Sequence, residues 1–292
     1  ARPLDGPAQS DWDGDGMGSH ASPIPMDAGA TDCRVYAGDD LDGDLVPDTT
    51  DLCPTFPDDG SDRDKDGKGD LCDACPDLAN PGTMSCPGTI YQVKTGGFAA
   101  GSTVRLQGVQ VTGYGANAGG PQGFFVQHPP TDPAFAGTDN GGLYCFYPSG
   151  SPVPAVGDRI DVDGTVTLYY GQTQLSNLTY VSILSSGNTA LVPTEALPAD
   201  VATGGSRAAL LEGALVKVLD ATVTDVAPPI GAGDKAPTNE FSVTGGLRID
   251  DFLHLATPFP ALGERFTSIS GVLRANTDSG AITAIEAVYV PA

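Results

Sequence analysis

No hydrophobic period runs through the first third of the chain. Residues 1–87 carry Asp, Gly and Pro with few aliphatic side chains, and neither a 3.6-residue nor a two-residue alternation emerges. From residue 88 onward the pattern changes to short apolar or alternating runs separated by Gly, Pro and Asn turns. "TVRLQGVQV", "GFFVQH", "LYCFY", "RIDVDGTVTLYY" and "LTYVSIL" follow one another up to residue 185. After residue 192 come "ALVKVLDATVTDV", "EFSVTGGLRID", "RFTSISGVL" and "AITAIEAVYV". Runs of this length and spacing predict β-strands, at the density of small antiparallel barrels or sandwiches. "GSRAALLEG" is the one good helical candidate, and it is short.

The two β blocks resemble each other. "PVPAVGDRIDVDGTV" (152–166) aligns with "PFPALGERFTSISGVL" (258–273) through a shared Pro-x-Pro-Ala-x-Gly-acid-Arg. Upstream, "VRLQGVQVT" (104–112) aligns with "VKVLDATVT" (216–224), and each block closes on a strand, near Val181 and near Val288. One module duplicated is the reading. The order of a strand, hairpin strands, a Gly-acid-Arg lead into a long strand and a last strand resembles the OB fold. In particular it resembles the OB-type modules that accompany some secreted bacterial nucleases and adhesins. The expected fold is therefore mostly β, with two tandem small antiparallel barrels at 88–187 and 188–292, preceded by a coreless segment.

Charge sharpens the division. The formal net charge is −23, of which −15 falls on residues 1–87, where there are twenty Asp and no Glu. Such a chain repels phosphate backbones, so nucleic acid is disfavoured and multivalent cations are the natural partners. Left alone, a coreless acidic segment could not offset its ordering entropy.

The aspartates are not scattered. "DLDGDLVPDTTDLCP" (40–54) places Asp40, Asp42, Asp44, Asp48, Asp51, Cys53 and Pro54 at the spacing of Asp62, Asp64, Asp66, Asp70, Asp73, Cys75 and Pro76, with an offset of 22. Alternate aspartates in a Gly-containing loop can turn their carboxylates toward one centre, as a hard cation requires. A solvated acidic tail would explain an Asp run but not two copies that each end in Asp-x-Cys-Pro. A shorter fragment, "DWDGDGMGS", offers Asp11, Asp13, Asp15 and Gly16. The pattern is similar to the thrombospondin type 3 repeat, D-x-D-x-D-G-x-x-D-x-x-D-x-C-P. The copy from Asp62 meets it in full, whereas the first copy has Leu45 in place of the turn glycine, with Gly43 two residues earlier. The resemblance covers about residues 33–87 and implies Ca²⁺ as the bound ion.

Six cysteines, five of them in the acidic third, predict disulfides and an oxidising compartment. A zinc site built on Cys72-x-x-Cys75 is the alternative, poorly suited to surroundings of aspartate without a nearby His. The resemblance implies bridges Cys53–Cys72 and Cys75–Cys86, which leaves Cys33 and Cys145 as the remaining pair.

Signals of catalysis are scarce. His20, His128 and His254 have no spaced partners, and Glu occurs five times in the chain. There is no H-E-x-x-H, G-x-S-x-G, P-loop or G-x-G-x-x-G. His128, ahead of Pro129 and Pro130, reads as a loop residue. Tyr114, Phe124, Phe125, Tyr144, Tyr169 and Tyr170 could form a stacking face, though core packing suits their placement better. Asn177-Leu178-Thr179 matches a glycosylation acceptor. No run of eighteen apolar residues predicts a membrane span, and a start without Met fits a cleaved secretory signal.

The expectation is a secreted, extracellular calcium-binding structural or adhesive protein of bacterial type, without enzyme activity. An extended arm at 1–32 and β modules with open edges predict self-association into a homopolymer. The alternative is a glycan- or nucleic-acid-binding accessory module of a secreted enzyme system.

Overall fold

The computed structural model describes residues 40–117, 120–148, 152–169, 171–229, 238–276 and 281–288. The chain divides into two compact units, Ala1–Cys86 and Pro87–Ala292.

The β pattern becomes two sheets. The first contains β1 (Cys86–Gly88), β2 (Thr103–Asn117), β3 (Gly120–Gln127), β4 (Gly142–Phe146), β5 (Arg159–Tyr169) and β6 (Gln172–Ser185). Its order is β1-β2-β3-β4-β6-β5, and β5 also pairs with β2, so the five longer strands form a closed cycle of pairings. The second contains β7 (Thr194–Ala196), β8 (Leu215–Asp225), β9 (Phe241–Val243), β10 (Leu247–Asp250), β11 (Arg265–Asn276) and β12 (Ala281–Val288). Here the cycle runs β8-β9-β10-β12-β11 and back to β8. In each cycle the third and fifth strands run parallel, with Cys145 opposite Leu175 in one and Ile249 opposite Ile285 in the other.

The duplication extends to individual hydrogen bonds. Gly157 donates its N–H to Val111 O and Gly263 to Val223 O, both at 2.9 Å. The acids that follow act alike: Asp158 Oδ2 accepts the Ala155 N–H and Glu264 Oε2 accepts the Ala261 N–H, each at 2.8 Å. Both glycines have left-handed φ, +90° and +82°, which explains why the Gly-acid-Arg motif recurs.

Each cycle encloses its own core. Val104, Leu106, Val111, Phe124, Val126, Leu143, Ile160, Val162 and Leu175 fill the first, and Val216, Val218, Val223, Phe241, Val243, Leu247, Phe266 and Leu273 fill the second. Phe125 follows Phe124 along β3 and so points to the opposite face, where it is also fully buried. It packs with Tyr144 and Val272, and Phe252, Leu253 and Leu215 lie against them. The outer face of β3 and β4 is thus covered by residues of the second sheet and its loops. Close backbone approach seals the same seam, since a side chain on Gly142 or Gly213 would run into the other's backbone. Of the remaining aromatic positions, Tyr114 packs partly buried against the first core, Tyr169 is exposed, and Tyr170 lies outside the described residues.

Helices are short. The predicted helical stretch gives only α3 (Ala208–Leu211), and among the described residues α1 (Ile90–Lys94) and α2 (Pro198–Val201) lie outside it. A capping box nucleates α1: Thr89 Oγ1 accepts the Gln92 N–H at 3.2 Å, and Gln92 Oε1 accepts the Thr89 N–H at 2.9 Å. Among the described residues, no helix is long and apolar enough to cross a membrane.

Candidate metal centre

The described part of the first unit, 40–86, is almost entirely turns and bends. Leu41, Leu45, Phe56, Leu71 and Leu78 are exposed, so these large apolar side chains build no core. Two disulfides hold the segment, Cys53–Cys72 and Cys75–Cys86, which are the bridges that the repeat resemblance implies. With Cys72 and Cys75 both oxidised, neither offers a thiolate for zinc. The expected pairing of Cys33 with Cys145 is not formed. Cys145 is a free thiol, fully buried on the inward face of β4, and burial pushes it well above the ordinary range. Cys33 lies outside the described residues, as do His20, Asp11, Asp13 and Asp15.

The aspartates organise the backbone before they organise anything else. In the first loop Asp40 accepts the N–H groups of Gly43 (2.8 Å) and Leu45 (3.1 Å). Twenty-two residues later Asp62 accepts those of Lys65 (2.7 Å) and Gly67 (3.0 Å). Asp48 closes the first loop by accepting the Leu41 N–H, and Asp70 does the same for Arg63. The carboxylates of Asp42, Asp44 and Asp51 bond to the N–H two residues on, as do those of Asp64, Asp66 and Asp73. Leu45 therefore does not break the first loop. Its φ is +78°, close to the +92° of Gly67, while Gly43 (+82°) stands opposite Lys65 (+63°). Each loop needs two left-handed residues and uses glycine for one of them, at opposite positions.

With the backbone satisfied, certain oxygens remain without a partner. In the first loop these are Oδ2 of Asp42, Asp51 and Asp58; in the second they are Oδ2 of Asp64 and Asp73 and Oδ1 of Asn80. The two sets coincide at the same offset of 22. All six atoms are buried, and Asp73 and Asn80 are more than nine-tenths buried as residues. Ligand oxygens of Asp40, Asp42 and Asp44 lie within 4.8 Å of one another, as do those of Asp44, Asp51 and Asp58 and those of Asp62, Asp64 and Asp66. Asp48 and Asp70 stay out of these groups, and Asp70 is instead held by Arg63 Nε at 2.8 Å. Desolvation, followed by the charges of Asp44, Asp51 and Asp40, pushes the Asp42 carboxyl above its usual value. Asp64 is raised in the same way, by desolvation and then by Asp66, Asp73 and Asp62. Asp62 is also desolvated, yet the N–H groups of Gly67, Lys65 and Asp66 hold it low.

Asp58 and Asn80 are the residues that the sequence pattern misses. They lie past the Cys-Pro that ends each repeat, and each folds back to donate its N–H to the bridging acid, Asp58 to Asp44 Oδ2 at 3.2 Å and Asn80 to Asp66 Oδ2 at 2.6 Å. Extending the 22-residue comparison beyond Pro54 and Pro76 would have paired them. The oxygen-only donor set, crowded carboxylates and orphaned acceptors fit a hard divalent cation, which supplies the charge that no neighbouring donor provides.

The titratable groups of the second unit assemble differently. His128 is buried behind Tyr91; its Nε2 accepts the Ile90 N–H at 3.4 Å, and its Nδ1 is 3.7 Å from Asp132, which in turn pairs with Arg159. His254 lines a small depression with Asn239, Asp250 and Phe266. Comparison with protein-family profiles, with curated proteins and with solved structures returns no match to this chain.

Proposed function

We propose that residues 40–86 form two calcium-binding loops akin to thrombospondin type 3 repeats, within a secreted, non-catalytic structural protein that self-associates outside the cell. The recurrence of three partnerless buried oxygens at identical positions of two loops carries this reading. A solvated acidic face has no reason to bury acceptors twice in one arrangement. Asp40, Asp42, Asp44, Asp51 and Asp58 would hold the cation of the first loop, and Asp62, Asp64, Asp66, Asp73 and Asn80 that of the second. Bound calcium would neutralise the crowded charges and, with two disulfides, replace a hydrophobic core. The strand order of both sheets supports reading the β unit as a tandem of OB-like modules. The face of β3 and β4, covered by the second sheet, disfavours ligand capture there and ranks the accessory-module alternative second.

Calcium titration calorimetry on the full chain tests the metal reading, and sedimentation with calcium and with chelator tests assembly. The reading expects saturable calcium binding and larger species in calcium. A chain that binds no calcium, or that stays monomeric at high concentration with calcium present, overturns the corresponding half.

A further inference from the structure

Lys94 ends α1 with its side chain 6% exposed, and it meets Glu212, 5% exposed, which follows α3. The ammonium touches Glu212 Oε2 and also reaches the Glu212 backbone oxygen at 3.3 Å. The other carboxylate oxygen, Oε1, accepts a hydrogen bond of 2.6 Å from Gln172 Nε2, and Gln172 is itself buried at the start of β6. Lys94 and Gln172 belong to the first β module, while Glu212 lies between α3 and β8 of the second. A primary amine, a carboxyl group and an amide donor that grips the carboxyl oxygen are thus enclosed together at the seam, away from bulk water.

We propose that Lys94 and Glu212 join in an intramolecular amide bond that welds the two β modules covalently. The inference is independent of the calcium reading. Proton exchange within the contact converts ammonium and carboxylate into amine and carboxylic acid, the pair that a dry site prefers over two buried charges. Burial lowers the Lys94 amine to about 8, so the free base is within reach at neutral pH. Nζ then attacks Glu212 Cδ. The Nζ–Cδ bond forms, Cδ–Oε2 breaks, and Oε2 leaves as water with two of the three ammonium protons, while the third stays on the amide nitrogen. Nothing is oxidised or reduced, and no co-reactant is needed. Gln172 acts as a positioning residue that donates to Oε1 as negative charge develops there. Amide condensation is unfavourable between dilute partners in water, but fixed neighbours reach effective molarities of about 10⁵ M or more. Expulsion of the released water from the seam favours the product further.

The experiment is accurate intact mass of the full chain after complete reduction, followed by tryptic mapping. The wild type is expected to be lighter than its sequence by one water and to yield a branched peptide joining the Lys94 and Glu212 segments, uncleaved after Lys94. Lys94→Met and Glu212→Leu, which remove the amine and the acyl carbon respectively, should each return the full mass of their own sequences, a readout that holds even if a variant folds poorly. Gln172→Leu should slow the mass loss in a refolding time course. A wild-type chain at full mass without the branched peptide overturns the proposal. Loss of ammonia with a branch to Gln172 overturns the assignment to Glu212.

Discussion

Asp66 Oδ2 accepts the backbone N–H of Asn80, fourteen residues further along the chain, at 2.6 Å. The contact bends the segment after Cys75 across the second loop. It brings Asn80 Oδ1, buried and without a partner, alongside the aspartates, while Asn80 Nδ2 is engaged by Met84 O. Asp58 stands in the same relation to Asp44. Replacing either residue with Ala should weaken calcium binding by its own loop by about ten- to a hundred-fold, as loss of groups that hold or orient metal ligands does. Calorimetric titration of Asp58→Ala and Asn80→Ala checks this. Asn80→Asp should tighten the second loop by adding charge to the donor set.

Chelation should loosen the first unit much more than the second, whose two cores need no ion. At calcium a hundredfold above the dissociation constant, each site contributes about 2.7 kcal/mol. Hydrogen exchange with and without chelator should therefore show lost protection confined to 40–86. Uniform loss across β2–β12 would contradict this.

Left-handed residues give a test of loop geometry that does not touch a ligand. No atom lies within 4 Å of a side chain added at Gly67. Gly67→Ala should therefore cost only its backbone strain, roughly 1–2 kcal/mol. Leu45→Gly should relieve a similar amount in the first loop. Thermal denaturation of the two variants in calcium should shift in opposite directions.

His128 makes the β unit sensitive to acid. Desolvation lowers its pKa below 6.5, only partly offset by Asp132, and Arg159 lowers it further. Between that lowered value and 6.5 the unfolded chain binds a proton that the folded chain does not. Stability therefore rises as pH increases through this window and falls on acidification. Urea midpoints measured across pH 5–7 should lose part of this slope in His128→Gln.

Strand positions are legible in the sequence because both sheets enclose cores, so inward residues recur at every second position of β5 and, on either side of Leu219-Asp220, of β8. Where alternation fails, as at Phe124-Phe125, the reason is a second buried face, which a pattern read one strand at a time does not reveal. The helix α1 rests on a four-residue capping signal, Thr89 to Gln92, too short to register as a period. Within the acidic unit the repeat marks the aspartates that shape each loop and the two bridges. It does not separate Asp48, which ties backbone, and Asp70, which ties backbone and the Arg63 side chain, from Asp42 and Asp64, whose free oxygens face inward. Nor does counting cysteines show which way β4 points Cys145; the alternation along Leu143, Tyr144 and Cys145 decides that.

The two bridges also fix how the acidic segment would carry tension. A pull along the chain that enters at Cys53 crosses to Cys72 through sulfur, runs along Asp73 and Ala74, and crosses again from Cys75 to Cys86. Residues 54–71 and 76–85 are shunted out of the load path, so Asp62, Asp64, Asp66 and Asn80 hang beside it unstressed, and Asp73 alone of the second loop's aspartates lies within it. Asp40 to Asp51 lie in series with the force, with no bridge among the described residues to relieve them. Stretching should unravel the first loop at low force and leave the second intact, so one loop serves as a yielding link and the other as a fixed one.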